Sequence, residues 1–129
     1  MDQAEASRRW DTAQELYQVA MDAFRQQHYR AAVSLAYYAC FQAMWVALGD
    51  PPLGRWQHIG IIRSFCHGQW AVPPLVPTAL AVLHKRLLAL YTLRLDAHYR
   101  AQRIPAEQTQ HGLETVAAVM RLVQDPPRE

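Results

Sequence analysis

The residues best suited to chemistry in this sequence are an arginine and a histidine, Arg94 and His98, which stand four positions apart. At 100° per residue both side chains fall on the apolar side of the stretch 80–103. Charged or titratable groups are rarely buried unless they are paired. Their placement therefore predicts a salt bridge, a subunit interface or a site for an anionic ligand. The predicted apolar arc consists of Leu80, Leu83, Leu87, Leu90, Tyr91, Leu95, Ala97 and Ala101.

An arginine and an imidazole one helical turn apart are suited to engaging a phosphate group. The guanidinium of Arg94 would stabilise charge on the phosphate, and the imidazole of His98 would move a proton to or from a ribose hydroxyl. The alternative interpretation is structural. In that case Arg94 pairs inside the chain with a carboxylate such as Asp22 or Glu15, and His98 covers an edge of the core.

Four further residues are candidates for contact with a nucleotide or RNA, namely His58, Tyr99, Arg100 and Arg103. The segment 84–103 carries five basic residues and one acidic residue, in a chain whose formal net charge is +2. Such a concentration is typical of a modest phosphate-binding surface, and a solvated helix face is the alternative. Tyr99 could stack on a base or bridge helix and surface, and His58 could present an imidazole or cap the third helix.

The motifs of common enzyme classes do not occur in this sequence. It has no glycine-rich phosphate loop, no nucleophile elbow and no pair of catalytic carboxylates. His67 beside Cys66 lacks any recognised spacing to further ligands, so we predict neither a metal site nor a cofactor. The two cysteines, Cys40 and Cys66, lie in apolar stretches and are predicted to be free thiols in a reducing compartment.

The periodicity of the chain predicts an all-α fold, because no stretch alternates as a strand does. Residues 1–129 fit one domain with a core over about 7–124. We expect an up-and-down four-helix bundle with an additional C-terminal helix. The predicted helices cover Ser7 to His28, Tyr29 to Leu48, about Gln57 to Gln69, a long stretch from Pro77, and a last stretch that starts at Pro105 and stops at Asp125-Pro126-Pro127.

The second predicted helix, 29–48, is apolar almost all round, with Arg30, Ser34 and Gln42 as its strongly polar interruptions. Such a helix must be covered on every side. A four-helix chain cannot easily cover two apolar stripes, so we predict a homodimer through the second one. The stripe expected to face the bundle is Ala32, Ala36, Ala39, Ala43 and Val46, and the second stripe is Tyr37, Phe41, Met44, Trp45 and Leu48.

Hydrophobic residues make up 51% of the chain, yet no uninterrupted apolar run approaches the roughly 18–20 residues of a membrane span. The acidic start, Met1-Asp2-Gln3-Ala4-Glu5, is unlike a signal peptide. We therefore expect a cytoplasmic protein without a membrane segment.

Three segments together resemble the HEPN family, the higher eukaryotes and prokaryotes nucleotide-binding domains, in its small stand-alone prokaryotic branch. The segment 34–43, SLAYYACFQA, is similar to the family's serine, alanine, double-tyrosine and phenylalanine pattern on the second helix. The segment 58–65, HIGIIRSF, is similar to the pattern that opens the third helix, and 94–99, RLDAHY, to the pattern near the end of the fourth. The matching order covers roughly residues 10–123.

The resemblance implies a dimeric helical bundle that binds a nucleotide or RNA, often beside a minimal nucleotidyltransferase in a toxin–antitoxin-like system. Some relatives are metal-independent ribonucleases, in which an arginine and a histidine separated by four to six residues meet across a dimer cleft. Here three residues separate Arg94 from His98, and His98 stands where the closest branch usually has aspartate. Whether the chain is an enzyme stays open. A ribonuclease toxin using Arg94 and His98 and a non-catalytic interaction module are the alternatives.

Overall fold

A computed structural model of the chain describes residues 1–123, and these residues form five helices and no strand. The helices are α1 (Gln3–Arg25), α2 (Tyr29–Leu48), α3 (His58–Cys66), α4 (Pro77–Tyr99) and α5 (Ala106–Leu122). The predicted all-α class is confirmed. The predicted stop at Asp125-Pro126-Pro127 and the predicted core limit at residue 124 lie outside the described residues.

Local chemistry explains where the helices begin and end. The carboxylate of Asp2 accepts a hydrogen bond from the backbone N–H of Glu5 at 2.8 Å, so α1 starts at Gln3, four residues before the predicted start. Pro77 occupies the first turn of α4, as predicted. The third helix is shorter than predicted, because Gly68 adopts a left-handed φ of 73° and packs directly against Leu80.

The four long helices, α1, α2, α4 and α5, form the bundle, and the short helix α3 packs against α2 and α4. The helix outside the four-helix bundle is therefore α3. The sequence had predicted the C-terminal helix in that role. Helix α2 contacts each of the other four, whereas α1 and α4 make no contact with each other within residues 1–123. Tyr38 meets Arg94 and Ser34 meets His98, so α2 and α4 run antiparallel.

The alanine stripe of α2 is buried as predicted, with Ala32, Ala36, Ala39 and Ala43 each at most 1% exposed. The second stripe is covered more fully than expected. Tyr37 and Met44 are buried inside the single chain, because α3 and α4 close over that side of α2. Phe41, Trp45 and Leu48 stay half-buried, and Tyr38 is 38% exposed. The outward surface of α2 is thus narrower than the sequence predicted.

Helix α2 is the one helix within residues 1–123 that is long and apolar enough to cross a membrane, with a mean hydropathy of 1.5 in its most apolar window. The core helix of a soluble protein satisfies the same criterion. Eight residues of α2 are buried against the rest of the chain, which is the position of a core helix.

A small second core lies at the end of the bundle where α4 finishes. It consists of Val33, Leu93, Ala97 and Ile104, with Tyr29 packed against it. Leu93 was missing from the predicted apolar arc of α4, and Ala101, which was included, is exposed beyond the helix end. This cluster fixes the loop between α4 and α5 against α2.

The turn between α1 and α2 contains Gln27, which has a left-handed φ of 65°. That conformation is sterically unfavourable for a residue with a Cβ and is not for glycine. We expect Gln27→Gly to raise the free energy of unfolding by about 0.5–1 kcal/mol, measured by urea denaturation. Gln26→Gly is the matched control, because Gln26 has an ordinary φ of −86° and glycine there should destabilise. Equal effects of the two substitutions would contradict this account.

Candidate functional site

Three polar residues on one flank of α2, Arg30, Ser34 and Tyr38, each contact α4 or the segment after it. The hydroxyl of Tyr38 accepts a hydrogen bond from Arg94 Nη2 at 2.8 Å. Ser34 Oγ lies 2.9 Å from His98 Nε2. We name these contacts the α2–α4 ladder. They are spaced by one helical turn along both helices, which is why the motif residues 34–38 and 94–98 meet in the fold.

Arg30 forms the end of the ladder and caps α4. Its guanidinium donates hydrogen bonds to the carbonyl oxygens of Arg100 at 2.9 Å and of Gln102 at 2.6 Å. It also donates to the carbonyls of Asp96 and Ala97. A cation at this position satisfies carbonyls that a helix end leaves without partners, and it complements the negative end of the helix dipole.

Arg94 is buried, with 7% of its surface exposed. Its guanidinium carbon lies 5.2 Å from the ring centroid of Tyr37 and 5.1 Å from that of Tyr38, within the range of cation–π contact. Its Nε is buried without a hydrogen-bond partner. None of the ion pairs within residues 1–123 includes Arg94. The described part of the chain therefore holds a buried positive charge that no carboxylate neutralises.

The structural interpretation that paired Arg94 with Asp22 or Glu15 is wrong. Both carboxylates lie on α1, which packs on the far side of α2 and does not contact α4 in the described chain. Asp22 instead pairs with Arg25 on its own helix at 2.6 Å. Both acids are exposed.

His98 was predicted to lie on the buried face of α4, but it is exposed. It belongs to the last turn of α4, where the side chain reaches the outer flank of α2 at Ser34 instead of the core. Ser34 Oγ also lies 3.1 Å from the carbonyl oxygen of Arg30. When Ser34 donates its single proton to that carbonyl, Nε2 of His98 is the donor in the contact between the two side chains, and Nδ1 of the neutral imidazole carries the lone pair.

His58 is joined to Arg94 through Tyr37. The hydroxyl of Tyr37 and Nδ1 of His58 are 2.7 Å apart, and the His58 ring stacks on Tyr91 at 5.3 Å. Burial raises the pKa of Tyr37. The protonated phenol donates to Nδ1 when that nitrogen carries the lone pair of the neutral ring. Burial, and then the charge of Arg94, lower the pKa of His58. His58 does not cap α3 with a side-chain hydrogen bond, so that alternative is wrong.

The three remaining candidates have different surroundings. Tyr99 is 76% exposed, and Arg100 forms an ion pair with Asp96 at 3.3 Å. Arg103 lines a cavity of about 740 Å³ at the end of the bundle together with His98. The structure therefore brings His98 close to Arg103 and links Arg94 to His58, while Arg94, Tyr99 and Arg100 do not line the cavity.

Sequence reasoning missed the residues that hold the candidates in place. Tyr37 was assigned to the predicted dimer stripe, and Tyr38 was given no role beyond the motif of residues 34–43, although both provide the surroundings of Arg94. Arg30 and Ser34 had a visible signal, because polar residues four positions apart interrupt an otherwise apolar helix. That spacing places them on one flank and could have indicated a common partner.

The thiols are not suited to nucleophilic or metal chemistry at neutral pH. Cys40 and Cys66 are free, and burial raises the pKa of both, that of Cys66 to about 11. Across residues 1–123 no group of three or more histidine, cysteine, aspartate or glutamate side chains is arranged to hold a metal ion.

No protein-family model matches the chain, and no curated protein matches it. The resemblance to the HEPN family therefore stands on the three sequence segments. The structure adds that the first and third segments meet in the α2–α4 ladder, and that the first and second meet at the Tyr37–His58 bond.

A buried charge without a carboxylate partner costs free energy that an apolar side chain of similar size does not. We expect Arg94→Met to raise the free energy of unfolding by about 1 kcal/mol in chemical denaturation, with Tyr38 then hydrogen-bonding to water. Arg94→Ala removes the same charge and also the packing of the side chain, so it should destabilise, and its difference from Arg94→Met reports the packing. A loss of stability in Arg94→Met as large as that in Arg94→Ala would show that the charge itself supports the fold.

The lowered pKa of His58 predicts how stability depends on pH. The unfolded chain binds a proton near pH 6.5, whereas folded His58 accepts one only at lower pH. On protonation Nδ1 becomes a donor, so the Tyr37 hydroxyl must then accept the hydrogen bond. Stability should therefore fall as pH decreases below about 6.5. Urea denaturation at pH 7.5 and 5.5 should show a larger drop for the native chain than for His58→Gln, and equal drops would contradict the assignment.

Proposed function

We propose that this chain is a HEPN-like helical domain that binds a nucleotide or RNA through phosphate groups. It acts as a homodimer beside a minimal nucleotidyltransferase in a toxin–antitoxin-like system. The observation that carries the proposal is the buried guanidinium of Arg94, which has no carboxylate partner within residues 1–123 and lies one turn from an exposed histidine. An unneutralised charge of this kind favours an anion from outside the chain.

Arg94 contributes to anion binding mainly through its electrostatic field, because little of its side chain reaches solvent. A charge surrounded by aromatic rings and apolar residues is weakly screened, so it attracts an anion more strongly than a solvated arginine does. His98 is exposed beside it and offers Nδ1 for direct contact. The segment 84–103 supplies further positive charge, with Arg103 exposed on the same side as His98.

The proposed homodimer uses the outward surface of α2 that the single chain leaves uncovered. Tyr38 is 38% exposed on that surface, and Phe41 and Trp45 are half-buried. Tyr38 is also a member of the α2–α4 ladder. A dimer through this surface would therefore set the ladders of two copies side by side and enclose Arg94 further, which strengthens its attraction for a phosphate.

Metal-independent RNA cleavage is the second candidate function. The observation in its favour is the contact of His98 Nε2 with Ser34, which holds the exposed ring through one nitrogen. In the tautomer protonated at Nε2, Nδ1 is a base for a ribose hydroxyl. Arg94 would stabilise the negative charge that develops on the phosphate.

The test measures RNA binding by fluorescence anisotropy with a labelled single-stranded oligonucleotide at 50 and 200 mM salt. We expect affinity to fall with salt, and Arg94→Met to weaken binding by about tenfold or more. Lys85→Gln is the matched control, because it removes one positive charge from the exposed side of the same helix. Its effect should be about twofold or less.

Each result assigns the function differently. Equal losses in Arg94→Met and Lys85→Gln would show that α4 acts only through its net charge. The absence of salt-sensitive binding to RNA and nucleotides would favour the interaction module. Cleavage of the oligonucleotide without metal, abolished in His98→Gln, would establish the ribonuclease.

A further inference from the structure

The cavity at the end of the bundle lies between the α1–α2 turn and the loop that joins α4 to α5. We name it the end cavity. Its volume of about 740 Å³ is within the usual range for small-molecule sites. Arg94 and Tyr38 do not line it, so it is distinct from the surroundings of the buried guanidinium, although it shares Arg30, Ser34 and His98 with the α2–α4 ladder. Its walls are formed by Gln27, His28, Tyr29, Arg30, Ala31, Ser34, Ala97, His98, Arg103 and Ile104.

The side chains around the end cavity carry positive charge and no negative charge. Among the described residues, two arginines and two histidines line it, and no aspartate or glutamate does. The guanidinium of Arg30 is already engaged by backbone carbonyls. Arg103 and His28 are exposed and belong to none of the ion pairs within residues 1–123. His98 contacts Ser34 through Nε2, so Arg103, His28 and the Nδ1 of His98 are available to an anionic ligand from three different segments.

The walls of the end cavity are held in place before any ligand arrives. Arg30 binds the carbonyl of Gln102, the residue directly before Arg103. Ile104, the residue directly after Arg103, is 4% exposed and packs in the second core. Anchors on both sides fix the backbone of Arg103, which lowers the ordering cost of binding.

The geometry points to the end cavity as a binding site for a phosphomonoester, the terminal phosphate of RNA or of a nucleoside monophosphate. This inference rests on the proposed function and specifies which phosphate is recognised. A phosphomonoester carries close to two negative charges near neutral pH and three terminal oxygens. It therefore matches the guanidinium of Arg103 and the imidazoles of His28 and His98, which line the cavity from separate segments. His28 donates through a ring N–H, and Nδ1 of His98 donates when that ring is protonated. An internal phosphodiester has one charge and two free oxygens. The ring of Tyr29 provides an apolar wall for the attached sugar or base.

The experiment compares ligands that differ only in the terminal phosphate. Isothermal titration calorimetry of the full chain uses adenosine 5′-monophosphate against adenosine, and a 5′-phosphorylated oligoribonucleotide against its 5′-hydroxyl form. Inorganic phosphate is the third arm and tests whether the phosphate alone suffices. We expect each phosphorylated ligand to bind about tenfold more tightly or better than its counterpart.

Substitutions test whether the preference for phosphorylated ligands arises at the end cavity. Arg103→Gln and His28→Gln should each remove most of the preference for the phosphorylated ligand, and both side chains are exposed, so the fold should be kept. Arg100→Gln is the matched control, because Arg100 is three residues away, pairs with Asp96 and does not line the cavity. A preference that survives Arg103→Gln and His28→Gln, or that is lost equally in Arg100→Gln, overturns the assignment to this cavity.

The binding experiments distinguish a failure of this inference from a failure of the proposed function. Salt-sensitive RNA binding with no preference for a terminal phosphate overturns the inference and leaves the proposed function intact. Binding of adenosine 5′-monophosphate or inorganic phosphate that depends on Arg103, without RNA binding, supports the cavity and restricts its ligand to small phosphates. Absence of binding in every arm overturns both.

Discussion

The arrangement of this molecule depends on the guanidinium of Arg94, which is buried between aromatic side chains of α2. Tyr37 and Tyr38 provide the ring faces, and the hydroxyl of Tyr38 accepts the hydrogen bond. The charge then acts on its surroundings, since it helps to lower the pKa of His58 on α3. Three helices thus meet around one cation. Burying a charge without a carboxylate is costly, so its presence indicates a role beyond stability.

The flank of α2 that receives Arg94 also organises the end of the bundle. Arg30 neutralises the carbonyl end of α4 with a cation that α2 supplies. The C-terminal end of α4 therefore needs no further positive side chain from its own sequence to satisfy its carbonyls. His98 and Arg103, which follow the same helix, remain available at the surface. Arg30 and Tyr38 on α2 thus hold the end of α4 and the buried Arg94, while His98 and Arg103 stay exposed to solvent.

Periodicity predicted the fold well where a pattern is local. The bounds of α2, Tyr29–Leu48, agree with the prediction because a polar break and the Gly49 turn enclose a continuous apolar run. The burial of Arg94 also followed from its angle on the helix. A helical projection carries no information on depth along the axis, so it placed exposed His98 beside buried Arg94. It also cannot pair Arg94 with Tyr38 or Tyr37 with His58, because those contacts join segments that are distant in sequence.

Two locally unfavourable features lie near the same end of the molecule. Gln27 holds a left-handed conformation that glycine would adopt more easily, and it lines the end cavity. Arg94 is a buried charge one turn from His98, which also lines that cavity. Local structure that opposes stability tends to gather where a fold binds or reacts. These two features place a cost in stability at this end of the bundle, and the anion that we propose between α2 and α4 would offset it.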